Sequence, residues 1–156
     1  MIMNRQRRVR IPVAELNRFL RSAQRRLRLP RGAVAVALVT DREIKRWNRA
    51  FRGKNRSTDV LSFPAGDSQE KKSKAGAART RTRKIGAPSP DFYLGDIAIA
   101  PAVARRNARR LGRTFPKEMR ILILHGILHL MGYDHETDDG QMARREGRLR
   151  RELGLV

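Results

Sequence analysis

The sequence predicts one domain that mixes strands and helices, in the α/β (α+β) class. Short apolar runs suited to strands, at 33–40, 60–63 and 92–100, alternate with segments whose apolar residues recur at helical spacing. One helix, opening at Pro116, is apolar nearly all round, so we expect it at the centre of the core. The 156 residues fit a single core, and neither a repeat nor a second domain is visible.

The first third of the chain predicts a strand, a helix, a second strand and a second helix. Residues 8–11 alternate basic and apolar side chains and predict a short edge strand, after which Pro12 stands where a helix begins. The continuous β-branched run at 33–40 predicts a buried strand. Asp41 is the predicted N-cap of the next helix. We expect the buried face of that helix to carry Ile44, Trp47 and Phe51.

The rest of the chain predicts two more strands and three more helices. A short strand over 60–63 ends at Pro64, and the run at 92–100 contains Gly95, which marks a bulge or a close backbone approach. Helices are predicted over 101–111, from Pro116 through the histidine motif described below, and over 139–153.

Residues 67–91 differ in composition from the rest. They are rich in Lys, Arg, Ser, Ala, Gly and Pro and nearly free of large apolar side chains, which predicts a flexible basic insertion within the single domain 1–156. Its cations either contact RNA or only keep the segment soluble, and composition does not separate the two.

The charge of the chain points to a polyanionic partner. Lys and Arg total 36 against 15 Asp and Glu, a formal net charge of +21. The alternative is an arginine bias that only solvates the surface.

The chain has no cysteine, so it has neither disulfides nor thiolate ligands. No apolar run of about 18 residues predicts a membrane span, and no apolar stretch after the basic N-terminus predicts a signal peptide. We therefore expect a cytoplasmic protein.

The three histidines of the chain, His125, His129 and His135, lie within eleven residues. The first two are four apart and share one face of a helix. Gly132 suits the left-handed conformation that ends a helix, which would bring His135 back toward the other two. Three imidazoles predict a metal site with a fourth position for water. Zinc fits this ligand set best, although nickel, copper and iron share it. The alternative is a helix end whose histidines hydrogen-bond to neighbouring loops.

The spacing HxxxHxxGxxH is also that of the metzincin zinc proteases, but one residue argues against a peptidase. Gly126 stands where HExxH enzymes carry the glutamate that acts as general base. Glycine cannot transfer a proton, so this interpretation loses its catalytic residue. We further predict that the carboxylate of Asp134 or Asp96 orients a ligand imidazole.

Three blocks of the sequence resemble the YbeY family of bacterial endoribonucleases, also called rRNA maturation factors. Residues 125–135, HGILHLMGYDH, are similar to the family signature HGxLHLxGYDH. The other two blocks are FRGK at 51–54 with STDVLSFP at 57–64, and LGDI at 94–97. The similarity runs from about Ala33 to the C-terminus with the motifs in the order of the family. The long basic segment at 67–91 is the departure from the family pattern.

The resemblance implies a mixed four-stranded sheet covered by helices, with one buried central helix that carries two of the three zinc ligands. It also implies zinc-dependent cleavage of single-stranded RNA, maturation of the three-prime end of small-subunit ribosomal RNA, and ribosome quality control. Ribosomal RNA and the small ribosomal subunit with its proteins are then the expected partners. The alternative is a non-catalytic ribosome assembly factor with a structural zinc.

The resemblance also implies roles for individual residues. By position, His125, His129 and His135 match the ligands of one zinc ion, and Arg52 matches a functionally important arginine. From the residues themselves, Arg52 and Lys54 at a glycine turn are a candidate phosphate clamp, and we expect Lys54 and Arg56 to bind RNA. The alternative for this segment is a solvated loop. A zinc ion on three histidines can lower the pKa of its water to about 7, which would compensate for the missing glutamate.

Overall fold

The structure is a computed structural model, and it describes residues 1–68 and 92–156. These residues form four strands and five α-helices. In chain order they are β1 (Ile2–Asn4), α1 (Val13–Arg26), β2 (Val34–Leu38), α2 (Asp41–Arg52), β3 (Val60–Pro64), β4 (Gly95–Ile99), α3 (Pro101–Arg110), α4 (Phe115–Leu130) and α5 (Gln141–Glu152). A short 3-10 helix, Ala65–Ser68, follows β3. The predicted insertion at 67–91 lies outside the described residues, except for its first two positions.

The four strands form one mixed sheet in the order β1-β2-β4-β3. The β1–β2 and β2–β4 pairs are parallel, and β3 runs antiparallel to β4 at the edge. Gly95 lies opposite Pro64, and an ideal Cβ at position 95 would lie 2.2 Å from the Phe63 carbonyl oxygen. The mixed sheet and the close backbone approach at Gly95 are therefore confirmed.

The edge strand predicted over 8–11 is wrong, because the strand that pairs with β2 is β1, with Ile2 opposite Val36. The backbone of Val9 is instead bonded to a side chain. Its N–H donates to Gln6 Oε1 at 2.9 Å, and its carbonyl accepts from Gln6 Nε2 at 2.9 Å. The buried Gln6 amide thus satisfies both polar groups of Val9 and closes a loop, so this segment needs no strand partner.

The prediction of Asp41 as the N-cap of α2 is wrong, because Thr40 takes that place. Thr40 Oγ1 accepts a hydrogen bond from the Glu43 N–H at 3.2 Å, and the Thr40 N–H donates to Glu43 Oε2 at 3.1 Å, which forms a capping box. The buried face of α2 also differs from the prediction. Ile44 is buried and Trp47 half-buried, but Phe51 is 67% exposed, since α2 ends over the edge strand β3.

Helix α4 is the centre of the core, as its apolar sequence predicted. It packs against α1, α3, α5 and the sheet, and its buried residues lie on nearly all its sides. Gly126 allows the close approach to β4, because an ideal Cβ there would lie 2.8 Å from Ile97 Cδ1. Ser62 of β3 also donates a hydrogen bond to the Gly126 carbonyl oxygen at 3.2 Å. These contacts fix α4, and the histidines it carries, against the sheet. None of the helices in the described part of the chain is long and apolar enough to cross a bilayer.

Candidate active site

The three histidines converge at the end of α4, as their spacing predicted. His125 and His129 lie one turn apart on the helix, and Gly132, with φ +95°, turns the chain. The Tyr133 N–H donates to the Leu128 carbonyl at 3.1 Å and closes this turn. One nitrogen from each of the three rings lies within 4.8 Å of the other two. The cluster therefore gathers three imidazole ligands at one point.

Asp134 braces the turn that carries His135. Its carboxylate accepts hydrogen bonds from the Glu136 N–H at 3.0 Å and from the Thr137 hydroxyl at 3.2 Å. The hydrogen bond from the Glu136 backbone is the largest cause that lowers the pKa of Asp134. An ionised Asp134 thus holds the backbone around His135, so its influence on this ligand passes through the turn.

The carboxylate in direct contact with a histidine ring is Glu146, on α5. His125 Nδ1 lies 3.0 Å from Glu146 Oε2, and Arg150 donates to the other oxygen. Burial opposes ionisation of Glu146, which is 8% exposed, but the hydrogen bond from His125 and the charge of Arg150 lower its pKa overall. An ionised carboxylate can only accept, so Nδ1 of His125 carries the proton and Nε2 presents its lone pair to the cluster.

Glu146 is a residue that the sequence reasoning missed. It lies on the face of α5 that also carries the buried Met142 and Leu149, so a signal was present in the form of a carboxylate on an otherwise apolar helix face.

Asp96, which the sequence suggested as a carboxylate that orients a histidine ring, is exposed on β4. Its Oδ1 accepts a hydrogen bond from the Tyr93 hydroxyl at 2.5 Å. Burial and this hydrogen bond raise the pKa of Tyr93 to about 12. The structure thus places Asp96 against Tyr93 and Glu146 against the histidine ring.

The electrostatics of the cluster favour a neutral His129 ring. Burial is the largest cause that lowers the pKa of His129, followed by repulsion from His125 and His135. A lowered pKa keeps the ring unprotonated at neutral pH, which is the form that binds metal ions. His125 Nε2 and His129 Nε2 are 3.0 Å apart. Zinc–nitrogen bonds of about 2.0–2.1 Å in a tetrahedral site separate two ligand nitrogens by about 3.3 Å, so the cluster can hold such an ion with little adjustment.

A cleft of about 440 Å³ connects the histidines with the predicted RNA-binding residues. His129, His135 and Asp134 line it together with Arg52, Lys54 and Arg56. Of the predicted site residues, His125 and Asp96 do not line the cleft. His125 joins the site through its contact with His129.

The loop that carries the cleft cations is built by α2. Gly53, with φ +67°, ends the helix directly after Arg52. Asn48 is buried inside the helix, and its Nδ2 donates to the Arg56 carbonyl at 2.9 Å. This hydrogen bond ties the loop back to α2, so residues distant from the histidine motif in sequence form one wall of its cleft.

Comparisons with known proteins agree with this geometry. The chain matches the family model described as endoribonuclease YbeY over residues 1–154. It is 42% identical over 141 residues to the endoribonuclease YbeY of Solibacter usitatus, which covers 90% of this chain and 78% of that protein. The match to the endoribonuclease YbeY of Myxococcus xanthus, 42% identical over 125 residues, covers 79% of this chain and 37% of that longer protein. The solution structure of TM1509 from Thermotoga maritima is similar at a TM-score of 0.57 and 31% identity, over 98% of this chain and 89% of the other.

Proposed function

This chain belongs to the endoribonuclease YbeY family, and from that premise we propose that it is a zinc-dependent enzyme that cuts single-stranded RNA. The observation that carries the proposal is the shared cleft, in which two histidines of a metal-type cluster lie together with Arg52, Lys54 and Arg56. A metal site next to several cations suits phosphodiester hydrolysis, because both can stabilise the negative charge that develops on the phosphate.

His125, His129 and His135 would hold one zinc ion. Zinc supplies Lewis acidity toward a phosphoryl oxygen and makes water a stronger acid, so the reaction needs no carboxylate at position 126. Glu146 fixes the tautomer and the orientation of His125. Asp134 holds the turn from which His135 reaches the cluster.

The cations of the cleft act on the RNA. Arg52 is exposed at the end of α2 and lines the cleft, where its guanidinium can neutralise charge that develops on the phosphate in the transition state. Lys54 and Arg56 can hold neighbouring phosphates and so position the strand, which would make binding strongly dependent on salt. A single strand can bend its backbone into the cleft more easily than a stiff duplex.

The open geometry favours catalysis over a purely structural metal. Structural zinc sites usually have four protein ligands, whereas catalytic sites keep one position for water or substrate. Among the described residues, the cluster offers three ligands, and the third, His135, is exposed. A zinc peptidase is disfavoured, because position 126 holds glycine, which cannot act as the general base of such an enzyme.

We further propose that the substrate is ribosomal RNA, in particular the three-prime end of the small-subunit RNA, and that the protein acts on the small ribosomal subunit and in ribosome quality control in the cytoplasm. The family resemblance suggests this role. The net charge of +21 supports it, because a highly basic protein associates readily with the dense phosphates of a ribosome.

The proposal is tested with wild type and His129→Ala on a fluorescent single-stranded RNA, with the zinc content of each protein measured by elemental analysis. We expect one zinc per wild-type chain and cleavage, and little of either in the variant. Equal cleavage by a zinc-free variant would assign the activity to a contaminating nuclease. A zinc-loaded wild type that binds RNA without cutting it would favour the assembly factor with a structural metal.

A further inference from the structure

Helix α2 presents a row of cations that leads to the cleft. Its exposed positions include Arg42, Lys45, Arg46, Arg49 and Arg52, which we call the α2 cation stripe. The two acidic residues of the helix are paired with cations from other elements. Asp41 accepts a hydrogen bond from Arg106 at 3.1 Å, and Glu43 lies 3.4 Å from Arg5. The stripe therefore keeps a strong positive charge at its surface.

Phe51 lies two turns after the buried Ile44, so it continues the inward side of α2 and not the stripe. At the end of the helix it is nevertheless 67% exposed, directly before Arg52, the last cation of the stripe. The edge-to-face contact of its ring with Phe63 has a centroid distance of 5.2 Å, and Phe63 makes a second such contact with Trp47 at 6.0 Å. Phe63 of β3 and Trp47 of α2 are half-buried, and both pack against the core. The two inner rings therefore support the outer one and leave most of the Phe51 side chain open to solvent.

The position of Phe51 relates it to the cleft. It directly precedes Arg52, and its neighbour Phe63 lies between Ser62 and Pro64 on β3. Arg52, Ser62 and Pro64 all line the cleft. A strand whose phosphate contacts Arg52 thus passes an accessible aromatic ring just outside the cleft.

We propose that Phe51 is a stacking platform for one unpaired nucleobase of the RNA, and that the α2 cation stripe, which ends beside it at Arg52, binds phosphates of the same strand. The proposal rests on the proposed function and adds a base-binding position to it. Aromatic rings beside a basic track are the usual means of binding single strands without sequence preference. A polyanionic strand fits this position better than a protein partner, because the cleft cations Arg52, Lys54 and Arg56 follow Phe51 and the chain has a net charge of +21.

The test measures the binding of a short fluorescent 2′-O-methyl oligouridine, chosen to resist cleavage, to the full chain as purified. The variants are Phe51→Ala, Phe51→Trp and, as a matched control, Leu111→Ala, which truncates an apolar residue that is 49% exposed at the end of α3. We expect Phe51→Ala to weaken binding by roughly 5- to 100-fold, the effect of one base stacked on an aromatic ring. Phe51→Trp should restore binding, and Leu111→Ala should leave it unchanged.

A second oligonucleotide with the same backbone but without bases separates stacking from other effects. The loss caused by Phe51→Ala should vanish on this abasic strand, because no base remains to stack. A loss of the same size on both strands would show that Phe51 acts through the fold and would overturn the proposal.

Salt dependence separates the platform from the stripe. Phe51→Ala should lower affinity equally at all salt concentrations, whereas Arg49→Ala should reduce the slope of log K against log salt by about one. Trp47 is the only tryptophan of the wild-type chain, so quenching of its fluorescence in wild type and in Phe51→Ala reports RNA bound near α2. If wild type binds RNA and Phe51→Ala binds it equally well, the platform is rejected and the proposed function stands. If wild type does not bind RNA, the proposed function itself fails.

Discussion

Replacement of Glu146 by glutamine tests how the protein orients His125, one of the three proposed metal ligands. Glu146 is buried on α5 and links the His125 ring to Arg150. Glutamine has nearly the same shape, and its carbonyl oxygen can still accept from His125 Nδ1. The substitution removes the negative charge and turns a donor toward the Arg150 guanidinium. It therefore weakens the support for His125 without opening a cavity in the core.

The expected size of the effect follows from the kind of hydrogen bond that is lost. A hydrogen bond to a charged group contributes about 1.5–3 kcal/mol, against about 0.5–1.5 kcal/mol for a neutral pair. The two ranges differ by about 1–1.5 kcal/mol, which corresponds to a roughly 5- to 13-fold weaker zinc affinity. This agrees with the roughly 10- to 100-fold effects seen when the partner of a metal-binding histidine is removed.

The assay is zinc competition against a chromophoric chelator at neutral pH. Glu152→Gln is the matched control, because Glu152 is also a glutamate of α5 that accepts a hydrogen bond from an arginine. Its partner is Arg26, at 2.7 Å, and this pair lies on the surface. We expect the control to bind zinc like wild type. Equal zinc affinity of Glu146→Gln, Glu152→Gln and wild type would refute the role of Glu146.

Three further predictions follow from the site and the core. Arg52→Ala should reduce RNA cleavage by up to about 10²–10³-fold, the effect of one lost transition-state donor, while zinc content and unfolding stay unchanged. Gly126→Ala should reduce the free energy of unfolding by up to about 2 kcal/mol, because crowding against Ile97 costs about 1–3 kcal/mol and the gain in helix propensity is about 1 kcal/mol. In the metal-free protein, the unfolding free energy should fall as pH drops below 6.5, since the pKa of His129 is lowered in the fold and the unfolded chain then binds more protons.

Each of these has a measurement and a control. For Arg52→Ala, the measurement is the initial rate of RNA cleavage. The charge-matched control is Arg110→Ala, which removes an exposed arginine of α3. An equal loss of rate in both variants would contradict a specific role for Arg52. For Gly126 it is denaturant unfolding, and a more stable variant would show that Ile97 yields without strain. For the pH effect, the measurement is denaturant unfolding in the presence of a chelator at several pH values. In His129→Gln the free energy of unfolding should depend less steeply on pH. An unchanged slope would exclude His129 as the source of the pH dependence.

Much of the fold could be predicted from local patterns. The helical spacing of apolar residues predicted α1, α3, α4 and α5 to within a few residues, since a helix face repeats over short distances in the chain. The spacing of Thr40 and Glu43 also fits a capping box, but Asp41 beside them is equally suited by residue type to an N-cap, and only the backbone geometry separates the two. The strand over 8–11 was predicted from alternation alone. Alternation does not reveal whether a partner strand is present, and here the Gln6 side chain replaced that partner.

The sequence by itself determined the arrangement of the histidine cluster, because one helical turn and the glycine turn after it set how His125, His129 and His135 can approach one another. Only the tertiary structure decided what surrounds that cluster. The contact between Glu146 and His125 spans 21 residues and depends on how α5 packs on α4. The cleft depends on α2 ending over the edge strand, which brings Arg52 to the histidines and leaves Phe51 exposed. Such contacts arise from packing between distant segments, and no periodicity in the chain encodes them.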